Sequence, residues 1–166
     1  DSLVTRVLSR LEDDGMLVRL TQGLYLYPKQ TRFGIVKPTP YEIAQAVAGK
    51  DHAKVIPSGA MALNELGLST QIPTNAVFIT NGTPRTIKIG NQTITLKRAV
   101  PKMFSFQSTL FPLVITAMRD LGAENVDDAM ATQIIEILSK DDKEAIKADF
   151  LKAPAWIRKK LAPLYS

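Results

Sequence analysis

At 166 residues, 45% of them hydrophobic and 22% charged, the chain can bury one sizeable core or two small ones. It has no cysteine and one histidine, His52, which removes disulfide scaffolds, thiol nucleophiles and Cys-based zinc sites and leaves little room for His-based metal or Ser–His chemistry. The net charge of +5 is uneven: residues 1–37 hold 6 basic and 4 acidic groups, 38–106 hold 7 and 3, and 107–166 hold 8 and 9. The basic excess therefore sits in the first two segments, where a polyanion would dock.

No apolar run approaches the roughly 18 residues that would span a bilayer, and no signal-peptide pattern opens the chain, so a cytoplasmic protein with no membrane partner is expected. The sequence opens without Met and already inside a helical pattern, and it reads as a fragment whose true beginning is absent.

From Ser2, the residues Leu3, Val7, Leu8 and Leu11 recur at helical spacing, with Ser2 suited to the N-cap. The pattern stops at Asp13-Asp14-Gly15, where Gly15 can take the left-handed position that ends a helix. Residues 16–20 then read as a strand, Thr21-Gln22-Gly23 as a tight turn, and 24–27 as a returning strand that Pro28 ends. A helix, a glycine stop and a two-stranded hairpin in this order form the second half of a winged helix.

Residues 28–40 carry Pro28, Pro38 and Pro40 with Lys29, Arg32 and Lys37 between them, a linker by composition and the expected domain boundary. Thr39 then caps a helix ending near Gly49, and 54–56 form a short strand. Ser58 caps a second helix, which Gly67 stops. A strand at 76–80, a turn at Asn81-Gly82, and strands at 86–89 and 93–96 joined by Gly90-Asn91 make the middle β-rich. The last third is helical, at about 107–121, 125–139, 142–151 and 154–162. The expected class is α+β: a truncated winged helix-turn-helix, a mixed α/β segment with an antiparallel hairpin, and a C-terminal helical bundle.

On the first helix, Thr5, Arg6, Ser9, Arg10 and Asp13 lie off the apolar stripe. Arginine can bond guanine O6 and N7 bidentately, and hydroxyls suit phosphates or base edges. Arg19 and Gln22 in the hairpin are placed to touch backbone phosphates or a minor groove. By itself such a helix is more often a solvated amphipathic face; its combination with a glycine stop and a basic hairpin favours the reading face. Tyr25 and Tyr27 alternate with Leu24 and Leu26, so that one pair packs inward.

These residues resemble the winged-helix segment of the AbiE-type antitoxins (AbiEi-like), the antitoxin half of type IV toxin–antitoxin systems, and related prokaryotic regulators. The match runs through Val7-Leu8-Ser9-Arg10-Leu11, Gly15, Leu17-Val18-Arg19-Leu20 and Gly23-Leu24-Tyr25-Leu26-Tyr27-Pro28. It continues at Thr31-Arg32-Phe33-Gly34, over residues 56–71 and 77–82, and in the basic hairpin from Arg85 to Lys97, covering roughly residues 2–104. The resemblance implies a cytoplasmic prokaryotic regulator that binds double-stranded DNA at its own promoter and counters a nucleotidyltransferase-like toxin. Residues 1–37 would be the partial DNA-binding domain with its linker, and 38–166 an antitoxin-like domain, α+β over 38–106 and helical over 107–166.

Arg85, Lys88, Lys97 and Arg98 on or beside two facing strands read either as a second positive surface or as lysine blunting of an exposed strand. His52 reads as a surface residue rather than a metal ligand, and N-capping accounts for Ser58 without a nucleophilic role. Asp127-Asp128 and Asp141-Asp142-Glu144 fall in first turns of helices, where they favour the macrodipole. In the last helix, Trp156, Ile157, Leu161 and Leu164 form a stripe expected to fold back on the core. Residues 76–98 contain no Asp or Glu, which argues against a metal-dependent nuclease there. No enzyme activity, metal or cofactor is expected. A protein-interaction module, or a nuclease-like domain joined to a winged helix, is the alternative.

Overall fold

The computed structural model describes residues 2–15, 17–21 and 24–165. The architecture is α+β, as the sequence led us to expect. Helix α1 (Ser2–Asp13) ends where Asp14 N–H donates to Arg10 O and Gly15 takes φ +74°. Strands β1 (Val18–Thr21) and β2 (Leu24–Leu26) pair antiparallel, with the register shifting between Arg19 and Thr21. Met16, Gln22 and Gly23, assigned above to the first strand and its turn, lie outside the described residues.

The proline-bearing segment expected to be a linker carries a second hairpin. Strands β3 (Lys29–Thr31) and β4 (Gly34–Val36) pair Lys29 with Val36, Gln30 with Ile35 and Thr31 with Gly34. Its prolines flank the strands rather than interrupt them, so no ladder N–H is lost. Thr39 then caps α2 (Pro40–Lys50) in a full capping box: Thr39 Oγ1 accepts from Glu42 N–H, and Glu42 Oε2 accepts from Thr39 N–H, each at 3.2 Å. His52, at φ 55°, continues the turn that closes this helix and is exposed.

Strands β5 (Val55–Pro57), β6 (Asn75–Thr80), β7 (Arg85–Ile89) and β8 (Gln92–Arg98) form one sheet in the order β5-β6-β8-β7. β8 runs parallel to β6 and antiparallel to β7, so the chain leaves β6, skips a position, and returns between its neighbours. The alternation Thr93-Ile94-Thr95-Leu96 suits that place, because Ile94 and Leu96 are almost wholly buried on one face. Helix α3 (Ala60–Glu65) lies between β5 and β6 in the chain. Its N-cap is Gly59, not Ser58 as expected, and no side chain caps it. Gly59 sits at φ 54°, ψ −127°, and a Cβ there would come within 3.1 Å of Asp120 Oδ1, so glycine is required where the sequence pattern suggested a hydroxyl cap.

The sheet divides two cores. On one face Ala76, Phe78, Ile87, Ile94 and Leu96 pack with Ile43, Ala44 and Val47 of α2 and with Leu20 of β1; Leu24 and Leu26 join the rim. The hairpin β1–β2 and the segment after residue 37 thus share one apolar cluster. On the other face Ile56 and Ile79 meet α3 and α4 (Phe111–Leu121). The run Phe-Pro-Leu-Val-Ile-Thr-Ala-Met is apolar all round, and these eight residues of α4 are all buried, as such a helix must be. Helices α5 (Asp128–Leu138), α6 (Lys143–Phe150) and α7 (Ala155–Lys160) wrap α4, contributing Ile134, Leu138, Ile146 and Ile157. Asp127 and Asp142 cap α5 and α6 by accepting from Met130 N–H and Ala145 N–H, each at 2.8 Å. Of the last stripe, Ile157 and Leu161 fold back on the core fully buried and Trp156 packs at its margin, while the side chain of Leu164 lies outside the described residues.

Helix α4 begins four residues later than its sequence pattern suggests, because side chains from α6 and the turn before it reel in the preceding loop. Asp149, wholly buried, accepts from Gln107 N–H at 2.9 Å and Ser108 N–H at 2.7 Å, with Lys152 Nζ 3.8 Å away. Ser108 Oγ donates to Asp141 at 2.6 Å and accepts from Phe111 N–H at 3.0 Å, which caps α4. Burial alone would raise the Asp141 carboxyl; the Ser108 hydroxyl and the N–H groups of Asp142, Leu110 and Thr109 outweigh it and hold the group below its ordinary value. Among the described residues, no helix is long and apolar enough to cross a membrane.

Candidate nucleic-acid interface

At 3.6 residues per turn, the apolar stripe of α1 turns Leu8 and Leu11, both half-buried, toward the body of the molecule. Thr5, Arg6, Ser9 and Arg10 are all exposed, and Arg6 and Ser9 face most directly away from that side. The hairpin stands immediately after the helix, braced by the bond from Leu17 N–H to Leu11 O at 3.2 Å. Leu20 plunges into the core, which leaves Arg19 exposed on the opposite face, across the ladder from Tyr25. The alternation of Tyr and Leu resolves accordingly: Leu24 and Leu26 pack inward, Tyr25 is half-buried and Tyr27 is exposed. Among the described residues, Arg6, Arg10 and Arg19 form no ion pair, so their charge is directed to solvent. Gln22 falls outside the described residues.

The stripe on α1 is only partly covered. Leu3, Val4 and Val7 keep 63%, 53% and 48% of their surface, and no residue of the helix is buried. One helix therefore presents two faces to solvent, one polar, with Arg6, Arg10, the hydroxyls of Thr5 and Ser9, and the carboxylate of Asp13, the other aliphatic.

The four cations of the β7–β8 hairpin do not form one surface. Arg85 donates to Asp51 Oδ2 at 2.8 Å and is spent on tying β7 to the end of α2. Lys88 is exposed opposite Thr93, and Lys97 lies on that same sheet face, about 13 Å further along β8 at 3.3 Å per residue. Arg98 alternates to the other face. Beside these strands β1 packs against β7, which brings the first hairpin next to the lysine-bearing edge.

Lys29, Arg32, Phe33 and Lys37 were hidden in the supposed linker. The signal that could have revealed their hairpin is Thr31-Arg32-Phe33-Gly34, a turn whose last residue needs positive φ and takes φ 116°. From Gly15 to Tyr41 the chain carries four cations and no carboxylate. Leu66 to Arg119 is likewise free of Asp and Glu. Among the described residues, no group of three or more His, Asp or Glu is gathered closely enough to hold a metal ion.

These elements define an α+β protein that carries an exposed helix with two solvent-facing arginines, and two basic hairpins, ahead of a buried sheet-and-helix body. Residues 1–146 match the model of a family of unknown function, DUF6088, and the chain belongs to that family. No curated protein and no solved structure matches it.

Proposed function

We propose that this chain is a non-enzymatic, cytoplasmic prokaryotic transcription regulator that binds double-stranded DNA at its own promoter, with α1 in the major groove and the β1–β2 hairpin alongside as a wing. The observation that carries the reading is the pairing of an exposed Thr5-Arg6-Ser9-Arg10 face with an adjoining antiparallel hairpin whose exposed cation is Arg19. Guanidinium groups free of carboxylates can reach phosphates or guanine edges without breaking an internal ion pair. The resemblance to AbiE-type antitoxins extends the proposal: the protein represses its own operon and counters a nucleotidyltransferase-like toxin encoded beside it.

Mobility shifts with the DNA upstream of its own reading frame test the reading. Arg6→Ala and Arg10→Ala each weaken specific binding by about 1–3 kcal/mol. Affinity falls with salt at a log–log slope of about 0.9 per phosphate neutralised. Unchanged binding by both variants overturns the assignment. The aliphatic face of α1 favours a second reading, in which the helix docks a protein. Co-purification of a neighbouring gene product, with no mobility shift on any duplex, would select it.

A further inference from the structure

We propose that the β3–β4 hairpin is a second DNA-contacting ribbon, whose tip residues Arg32 and Phe33 enter the minor groove next to the site read by α1. The proposal rests on the DNA-binding reading above and adds to it a contact that the wing does not supply.

Most of the hairpin's described side chains stand in solvent. Gln30, Arg32, Phe33, Val36 and Lys37 are all exposed, and Phe33 keeps 87% of its surface. Two strands of three residues are marginal in water by themselves. The tip is nevertheless closed with care: the Thr31 hydroxyl donates to Gly34 O at 3.1 Å and accepts from Phe33 N–H at 3.2 Å. The Arg32 guanidinium sits 4.8 Å from the centre of the Phe33 ring. A structured turn that holds a bare aromatic ring and a cation together at its apex has no packing role to explain it.

Charge identifies the occupant. The hairpin contains Lys29, Arg32 and Lys37 within the carboxylate-free stretch from Gly15 to Tyr41, and among the described residues Arg32 forms no ion pair. Only Lys29 meets an acid, Glu42 at 3.5 Å, and that pair is open to water, where phosphate can compete for the lysine. Arginine is drawn into a narrow minor groove by its negative potential, and an apolar side chain beside it can wedge against sugars or a base step. Tyr27 and Pro28 alone separate β2 from β3, so the base of the ribbon is tethered within two residues of the wing, and its three-residue strands are about 10 Å long.

The test uses the full chain, its own upstream duplex and fluorescence anisotropy, comparing Arg32→Ala, Phe33→Ala and the double variant with Arg6→Ala/Arg10→Ala. The double variant loses about tenfold in affinity and its salt slope drops by about one, the share of one phosphate-region cation. Its melting temperature stays that of the wild type, because neither side chain touches the core. Netropsin, which occupies the minor groove, displaces the wild type more readily than the double variant. If the tip variants bind like wild type while the α1 variant is weakened, the ribbon proposal falls and the DNA-binding reading stands. If the wild type binds no duplex, both fall. If the tip variants lose binding to anionic phosphatidylserine vesicles with DNA affinity intact, the ribbon serves a lipid surface and the proposal is overturned.

Discussion

Helices α1 and α4 are almost equal in length, 12 and 11 residues, and both are rich in aliphatic side chains, yet not one residue of α1 is buried while Phe111 through Met118 of α4 all are. The difference lies in how the apolar residues are distributed. In α4 they surround the helix, and sheet and helices close over it on every side; in α1 they form one stripe, and Arg6, Ser9 and Arg10 claim the rest. An all-round apolar helix announces its own burial, whereas an amphipathic one announces a face without saying what covers it. The same contrast separates the two hairpins near the start of the chain: β1–β2 is rooted through Leu20, whereas among the described side chains of β3–β4 none is buried.

Substitution should expose the contrast most strongly at its extremes. Phe111→Ala, which empties a wholly buried site stacked against Phe106, destabilises by about 3–5 kcal/mol in urea melts, whereas Val7→Ser on α1 stays within about 0.5 kcal/mol. A large loss for Val7→Ser would mean that α1 is covered after all. Asp149→Ala comes next, at about 3 kcal/mol, because the buried N–H of Ser108 and the part-buried N–H of Gln107 lose their acceptor. Gly59→Ala costs about 1–3 kcal/mol by thermal melting through backbone strain before α3 and the crowding of Asp120.

The smallest effect concerns pH. The folded Asp141 carboxyl is held below its ordinary value, so its ionised form contributes stability that is complete above that ordinary value and fades as pH falls through the lower folded one. Asp141→Asn therefore differs most from wild type near neutrality, and the two melting curves converge below about pH 4. Curves that stay equally far apart at pH 3 and pH 7 would remove Asp141 from the capping of α4.

The parts legible in the sequence were those fixed by short-range chemistry. Gly15, the Thr39–Glu42 capping box, the Gly90-Asn91 turn and the Ile/Leu alternation of β8 each act within a few residues, and α1, α2, β7 and β8 follow from them. Asp149 grips residues 107 and 108 from 41 and 42 positions away, so no local window shows that α4 must wait until Phe111. Arg85 looked like a surface cation because its partner, Asp51, lies 34 residues upstream. The β3–β4 hairpin was obscured because prolines at both ends resemble a linker when composition is weighed before position. On the candidate interface, the exposure of Thr5, Arg6, Ser9 and Arg10 followed from helical period alone, while the tip pairing of Arg32 with Phe33 required coordinates.

Leu20 gives the first hairpin its footing among Ile43, Val47 and Phe78, and that attachment couples distant events. A substitution that loosens α2 or the sheet would tilt the ribbon bearing Arg19 without altering any solvent-facing residue. If the proposed DNA binding holds, variants selected for weakened binding map to the interior as well, and compensating changes are found in aliphatic packing rather than among the arginines.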